Sequence, residues 1–267
     1  MERNPITFDG SIAKSYDRYL GPFLFEPYAD DLAGRMKFTG ESNILELACG
    51  TGILTQRLAD HLTGSDELTA TDINAEMLSV AQEKISQLRV CWDTVDMGAI
   101  PYEQDLFDAV VCQFGLMFAT DKYRAVTEMY RVLKKGGKMF FNVWADVADN
   151  PVWRVYITHL SRFFSSMPLN PALGPFSMSD ENEGLSLLER AGFVHCKVES
   201  VATTGVCDTA ANAAVGFVLG SPLYHFIKND AALVERFRDA LEEAIGLELG
   251  RGPVHTPLRG LVFSAEK

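Results

Sequence analysis

Between residues 43 and 144 the chain repeats one unit. A short apolar run bounded by turn residues is followed by a stretch with apolar residues three and four apart. Such alternation leaves few folds open. Strands joined through helices cannot form tight hairpins, so they pair in parallel, and right-handed crossovers put helices on both faces. Strands are expected at 43–48, 66–73, 89–96, 107–114 and 138–144. Helices are expected at 53–62, with Leu54, Leu58 and Leu62 on one face, and at 75–88, with Met77, Leu78, Ala81, Ile85 and Leu88 inward behind an Asn74 cap. A third, at 122–133, runs into Lys134, Lys135, Gly136 and Gly137, cations and glycines that suit a helix C-terminus. The sheet is therefore an α/β, doubly wound one, with all the parallel strands ending at one edge, where ligands bind.

Beyond Trp144 the rhythm changes. Residues 145–179 carry Pro151, Pro168, Pro171, Gly174 and Pro175 among aromatics. A helix at 181–191 stops at Gly192, a strand follows at 193–200, a mostly helical stretch runs to about residue 250, and 258–267 closes as a strand. The first forty residues, with Phe8, Tyr16, Tyr19, Phe23, Phe25 and Tyr28, read as an aromatic-rich helical arm. The 267 residues thus read as one domain: arm 1–40, core 41–144, insertions 145–179 and 205–257, and the rest of the core at 180–204 and 258–267.

A formal charge of −12 argues against nucleic acid and anionic membranes, which demand excess Lys and Arg. No 18-residue apolar run occurs, and "MERNPITFDG" lacks the apolar core of a signal peptide, so a cytoplasmic protein is expected. Five scattered cysteines (Cys49, Cys91, Cys112, Cys196, Cys207) form no zinc-type pair and read as small buried hydrophobes.

"ILELACGTGILT" at 44–55 places Gly50 and Gly52 between a strand and a helix. Glycine there lets the backbone turn with φ > 0 and lets a ligand approach closely. A dinucleotide fingerprint is incomplete, because Thr55 stands where its third small residue belongs. Asp72 closes the second strand about twenty residues on, where an acid accepts ribose hydroxyls. Asp96 closes the third strand, within reach of an adenine amino group. Glu46 precedes the glycines, where it disfavours a pyrophosphate and suits a cation. Three acids along one cleft favour a cationic nucleoside over a dinucleotide diphosphate.

The segments "LELACGTG", "ATDINAEML", "VDMGAIPYEQDLFDAVVCQFGLMF" and "EMYRVLKKGGKMFFNVW" resemble the ordered motifs of class I S-adenosylmethionine-dependent methyltransferases, most of all the small-molecule branch that includes ubiquinone/menaquinone-biosynthesis methyltransferases. The resemblance covers about residues 43–144. It implies a mostly parallel, seven-stranded Rossmann-like sheet ending in an antiparallel hairpin, with helical insertions as a lid. It implies S-adenosyl-L-methionine as cofactor and S-adenosyl-L-homocysteine as product. Ala48, Gly50 and Gly52 would lie along the methionine moiety, with Glu46 supporting its ammonium side or the loop. Asp72 would bind the ribose, Ile73 and Met77 would pack around the adenosine, and Asp96 and Met97 would bracket the adenine. Gln113 and Phe114 would meet the transferred methyl, with Phe118 nearby. Tyr16 and Tyr19 stand where relatives have a lid.

Methyl transfer is an in-line displacement, and the cofactor carries the reactivity. An oxygen acceptor needs a general base. The candidates are His159 and His225 in the insertions, with His195 and His255; His195 reads as a structural strand residue. "CQFGLMF" lacks the Asn/Asp-Pro-Pro-aromatic motif of amide and adenine methyltransferases. Trp153, Phe163, Phe164, Phe176, Phe217, Tyr224 and Phe226 in the insertions fit an apolar or aromatic small-molecule acceptor. A monomer or homodimer without metal is expected. The alternatives are an NAD(P)-dependent oxidoreductase and a non-catalytic S-adenosylmethionine-binding protein.

Overall fold

A computed structural model describes residues 10–37, 39–86, 89–164 and 174–267. Phe8, Leu88, Pro168 and Pro171, named above, lie outside the described residues. The arm comprises α1 (Gly10–Ser15), a π-helical segment Tyr16–Phe25 and α2 (Glu26–Arg35). The core then runs β1 (Asn43–Leu47), α3 (Ile53–His61), β2 (Glu67–Asp72), α4 (Ala75–Lys84), β3 (Val90–Thr94), β4 (Phe107–Gln113), α5 (Lys122–Val132) and β5 (Leu133–Trp144). After it come α6 (Pro151–Phe163), α7 (Glu181–Ala191), β6 (Val194–Cys207), α8 (Ala210–Leu219), α9 (Leu223–Ile227), α10 (Ala231–Leu249) and β7 (Val254–Glu266). The seven strands lie in the order β3-β2-β1-β4-β5-β7-β6. The first five are parallel, and β7 is antiparallel to both neighbours. The chain reverses its winding between β1 and β4, which opens a crevice at their C-terminal ends.

Asn74 caps α4 as expected, its side chain accepting from the amides of Glu76 and Met77. Three boundaries differ from the sequence expectation. Helix α5 stops at Val132, because Leu133 turns extended to pair with Phe107 of β4; Lys134 then reaches Asp108 at 2.8 Å instead of serving the helix end. Strands β6 and β7 pair from Val194–Glu266 to Cys207–Val254, so the hairpin is longer than the segments 193–200 and 258–267, and the second insertion shrinks to 208–253. The first insertion contains a full helix. Pro151 occupies the first turn of α6, where a missing N–H costs nothing, so it starts the helix rather than breaking it.

The arm is part of the core. Leu20, Phe23, Leu24, Phe25, Tyr28 and Leu32 are all buried. Three glycines receive it. A Cβ on Gly205 of β6 would stand 2.5 Å from the Phe23 carbonyl, one on Gly216 of α8 2.9 Å from Tyr19 Cβ, and one on Gly220 2.9 Å from the Tyr16 backbone. The Tyr28 hydroxyl donates to the Val201 carbonyl at 3.4 Å.

Candidate active site

The loop after β1 is built from backbone conformations that side chains resist. Ala48, Gly50 and Gly52 have φ of 53°, 57° and 78°. At the end of the neighbouring strand β4, Phe114 has φ 49°. Its amide donates to both the carbonyl and the side-chain oxygen of buried Asn142. Two non-glycine residues in the left-handed region side by side is local strain, and strain of this kind collects at ligand sites. Asp72, the last residue of β2, is buried and braces the loop: Oδ2 accepts from the Gly50 amide and Oδ1 from the Asn74 amide, both at 2.8 Å. Burial pushes its carboxyl up, against those two hydrogen bonds. The sequence places Asp72 at the strand end as an acceptor for ribose hydroxyls; in the structure it holds the loop as well.

These strand ends floor a cleft of about 1070 Å³. Ala48, Gly50, Asp72, Ile73 and Met77 line one end, and Asp96 and Met97 follow. Asp96 turns one oxygen onto the Gly98 amide at 2.8 Å. Gln113, Phe114 and Phe118 line the middle, and Tyr16 and Phe25 of the arm enter from above, stacked at 5.1 Å between centroids. A smaller cavity of about 30 Å³ lies under the glycine loop and shares Tyr16, Phe25, Ala48, Gly50 and Gln113 with the cleft. Glu46 lines it, fully buried, with Oε2 unpartnered. Burial pushes the Glu46 carboxyl up to about 8; Thr55 opposes the shift and the Asp72 charge adds to it.

Two expected residues stand elsewhere. Gly52 faces α4: a Cβ would lie 2.7 Å from Ile85 Cδ1 and 3.0 Å from Ala81 Cβ, so this glycine serves helix packing. A Cβ on Gly50 would meet nothing within 4 Å, because that glycine faces open space. Tyr19 packs beside Gly216 under the Arg18 guanidinium and does not line the cleft.

Of the histidines, His225 lines the cleft. His159 sits on α6 with Nδ1 at 2.9 Å from the Val155 carbonyl. His195 is an exposed residue at a register shift in β6 with φ 53°, and His255 is exposed on β7. Burial pushes the Cys49 thiol well up and the Cys112 thiol to about 12, so neither offers a thiolate near neutrality.

The far end of the cleft is an aromatic wall. Trp144 stacks on Phe114 at 4.3 Å, and Trp153 of α6 meets Trp144 edge-on at 5.7 Å. Tyr156 follows, its hydroxyl 3.3 Å from Ser221 Oγ, and Phe226 marks the exposed rim. Phe217 stands behind this wall, against Trp153 and Tyr156, and Phe176 packs on Trp153. Phe163 and Phe164 pack on Phe237, away from the cleft, and Tyr224 does not line it. Leu20, Phe25, Trp144, Tyr156 and Ser221 were not singled out in the sequence as site residues; their only signal was membership of apolar segments.

A methyltransferase-domain family model matches residues 44–137. The chain is 30% identical over 168 residues to a demethylmenaquinone methyltransferase of Lactiplantibacillus plantarum, an alignment covering 59% of this chain and 70% of that protein. The chain belongs to the class I S-adenosylmethionine-dependent methyltransferases. It is also 31% identical over 150 residues to a ubiquinone/menaquinone biosynthesis C-methyltransferase UbiE of Pasteurella multocida, covering 55% of this chain and 54% of that one. Among solved structures it is similar to a Haemonchus contortus phosphoethanolamine N-methyltransferase 2 in complex with phosphomonomethylethanolamine and S-adenosylhomocysteine. That match has a TM-score of 0.59 at 15% identity, over 96% of this chain and 56% of the other. Family membership decides between the two nucleoside readings of the glycine loop. S-adenosylmethionine is the cofactor of this methyltransferase, and a nicotinamide dinucleotide is not.

The cleft fits that cofactor on its own geometry. The Gly50 face is a cradle that any side chain would fill, and unpartnered oxygens of Glu46 and Gln113 lie buried beside it. No helix among the described residues is long and apolar enough to cross a membrane.

Proposed function

We propose that the protein methylates a small, uncharged, aromatic or apolar molecule held against the aromatic wall of Phe114, Trp144, Trp153 and Tyr156. The carrying observation is the division of the cleft. Asp72 and Asp96 stand at the loop end, Asp121 and Arg124 line the cleft beyond Phe118, and the far end is lined by indole, phenyl and phenol rings. S-adenosylmethionine supplies an electrophilic methyl group on a sulfonium. Gly50 and Ala48 would border its methionine moiety, Asp72 its ribose, and Asp96 and Met97 its adenine, with Ile73 and Met77 around the adenosine. Gln113, Phe114 and Phe118 would stand at the junction with the acceptor.

Alignment of the acceptor with the methyl group is what the rings supply, because flat neighbours restrict a flat molecule to few orientations. His225 is the histidine that lines the cleft, and we assign it the base role for an oxygen or activated-carbon acceptor. The acidic chain works in the cytoplasm, as a monomer or homodimer, without nucleic-acid partners. Tritium transfer from labelled S-adenosylmethionine into fractionated extracts tests this. Label in neutral aromatic fractions, lost in His225→Ala, supports the assignment. Label in phosphorylated or cationic amines refutes the acceptor class.

A further inference from the structure

Two hydroxyls from different insertions meet at the aromatic wall. Tyr156 on α6 and Ser221, at the turn that opens α9, both line the cleft, and their oxygens stand 3.3 Å apart. They are 65 positions apart in the chain, and both lie outside the residues 44–137 that the family model matches. Rings hold the phenol in place: Tyr156 stacks on Phe217 at 4.7 Å and meets Trp153 edge-on at 6.1 Å. The Tyr224 amide donates to the Ser221 carbonyl at 3.1 Å and fixes the serine in its turn. Each hydroxyl has one donor and two lone pairs, and either oxygen can donate to the other. Whichever donates, its partner keeps an O–H that this bond does not use. Among the described residues no second hydrogen bond takes up that O–H. The mutual bond is also long beside the usual separation of about 2.7–2.8 Å for O–H···O, so rearranging it costs little. A donor held beside flat rings is met by a lone pair on a flat ligand, and an uncharged oxygen substituent supplies one. The pair keeps lone pairs of its own, so it can answer a phenol O–H as well as a ring carbonyl.

We propose that the Tyr156–Ser221 pair binds an oxygen substituent of the aromatic acceptor, and that this contact makes the far end of the cleft prefer an oxygenated ring to a hydrocarbon ring of the same shape. This rests on the acceptor reading above and deepens it. The pair is a positioning device: it takes no proton and forms no bond to the transferred methyl group. Rings alone leave a flat molecule free to slide and turn within its own plane. One hydrogen bond from a fixed hydroxyl removes that freedom and sets which edge of the ring faces the cofactor. A plain aromatic wall selects by area, whereas this one also selects by where the oxygen sits.

Equilibrium dialysis with two probes tests this. 2-Naphthol and 2-methylnaphthalene share a shape and differ in the oxygen. Each is dialysed at neutral pH against protein saturated with S-adenosylhomocysteine. A wall without hydrogen bonds would rank the two as their partition between water and a hydrocarbon solvent does, because there too the hydroxyl goes unmet. In the unaltered protein the ratio of affinities, naphthol over methylnaphthalene, should exceed that partition ratio at least tenfold. Tyr156→Phe combined with Ser221→Ala should lower the ratio about tenfold, through weaker naphthol binding alone. A purely structural role would weaken both probes together and leave the ratio where it was. Each single substitution leaves one hydroxyl to serve the ligand, so the two losses should add to less than the combined one. A ratio in the unaltered protein that follows partition overturns the proposal, as does a ratio that the combined variant keeps; both leave the aromatic-acceptor reading intact. Failure of either probe to bind the unaltered protein at all overturns that reading itself. The unaltered protein carries the first comparison even where the combined variant does not fold.

Discussion

A side chain at position 50 and one at position 52 would meet different neighbours, and the two glycines therefore make opposite predictions. Gly50→Ala has open space around its Cβ and bears only the strain of φ +57°, so it should lower stability by about 1 kcal/mol. The cradle is filled, however, and S-adenosylhomocysteine binding should fall at least tenfold by calorimetry. Gly52→Ala drives a methyl group to 2.7 Å from Ile85 Cδ1 at φ +78°, so the thermal midpoint should drop before any binding is measured. Asp72→Ala removes a partner from both the ligand and the Gly50 amide. It should weaken binding by about 1.5–3 kcal/mol and, unlike a solvent-exposed acid, also lower stability in denaturant titration by about 1–3 kcal/mol. The sequence showed that glycines were needed at this turn, since a strand-to-helix loop demands φ > 0. It did not show which glycine faced a ligand and which faced α4, because that depends on where Ala81 and Ile85 come to rest. Glu46 was legible for a related reason: a carboxylate inside an apolar strand is conspicuous in one dimension.

The arm separates what an element's pattern reveals from what its partners decide. Aromatics at Tyr16, Tyr19, Phe23, Phe25 and Tyr28 marked the segment as helical and apolar, but a helix that closes over a cleft and one built into a core share that pattern. The glycines that settle the matter, Gly205, Gly216 and Gly220, stand far along the chain. The arm from Leu20 to Tyr28 is therefore expected to show strong amide protection without ligand. Slowing on S-adenosylhomocysteine binding should be confined to the turn around Tyr16, which enters the cleft. Gly220→Ala is the sharper probe. Its methyl would lie 2.9 Å from Tyr16 Cα, so cofactor affinity should fall severalfold although residue 220 sits at the acceptor end of the cleft. Hydrogen exchange across the whole arm equal to that of an unstructured peptide would return the segment to a flap. The insertions were less legible than the arm. Trp153 and Phe226 reached the cleft, but Phe163, Phe164 and Phe217 packed elsewhere, because an aromatic residue on a helix fits a cavity wall and a helix interface equally well.

Across the whole molecule, the alternation of strands and helices was the most legible feature, since period and turn residues are local. The pairing of β7 with the fourteen-residue β6 was not, since half-exposed strands carry weak patterns. One global property follows from a single buried group. Glu46 is raised from 4.5 to about 8 in the folded protein. Below the unfolded value both states are protonated and the group costs nothing. As pH rises from about 4.5 to about 8 the unfolded state ionises while the folded one does not, so ligand-free stability declines through that window and levels off above it. Glu46→Gln should lack this component when denaturation midpoints are compared at pH 5.5 and 7.5; equal pH profiles would place the charge of Glu46 elsewhere. Burial of the arm beneath the last hairpin also sets a timetable. Tyr28 and the Val201 carbonyl it bonds are 173 residues apart. At typical elongation rates the arm leaves the ribosome roughly ten seconds or more before the strand that covers it. For that interval Phe23, Leu24 and Phe25 have no native cover from β6, and the nascent chain carries an apolar segment ahead of the strand that will hide it, a hazard of birth order that the finished protein no longer displays.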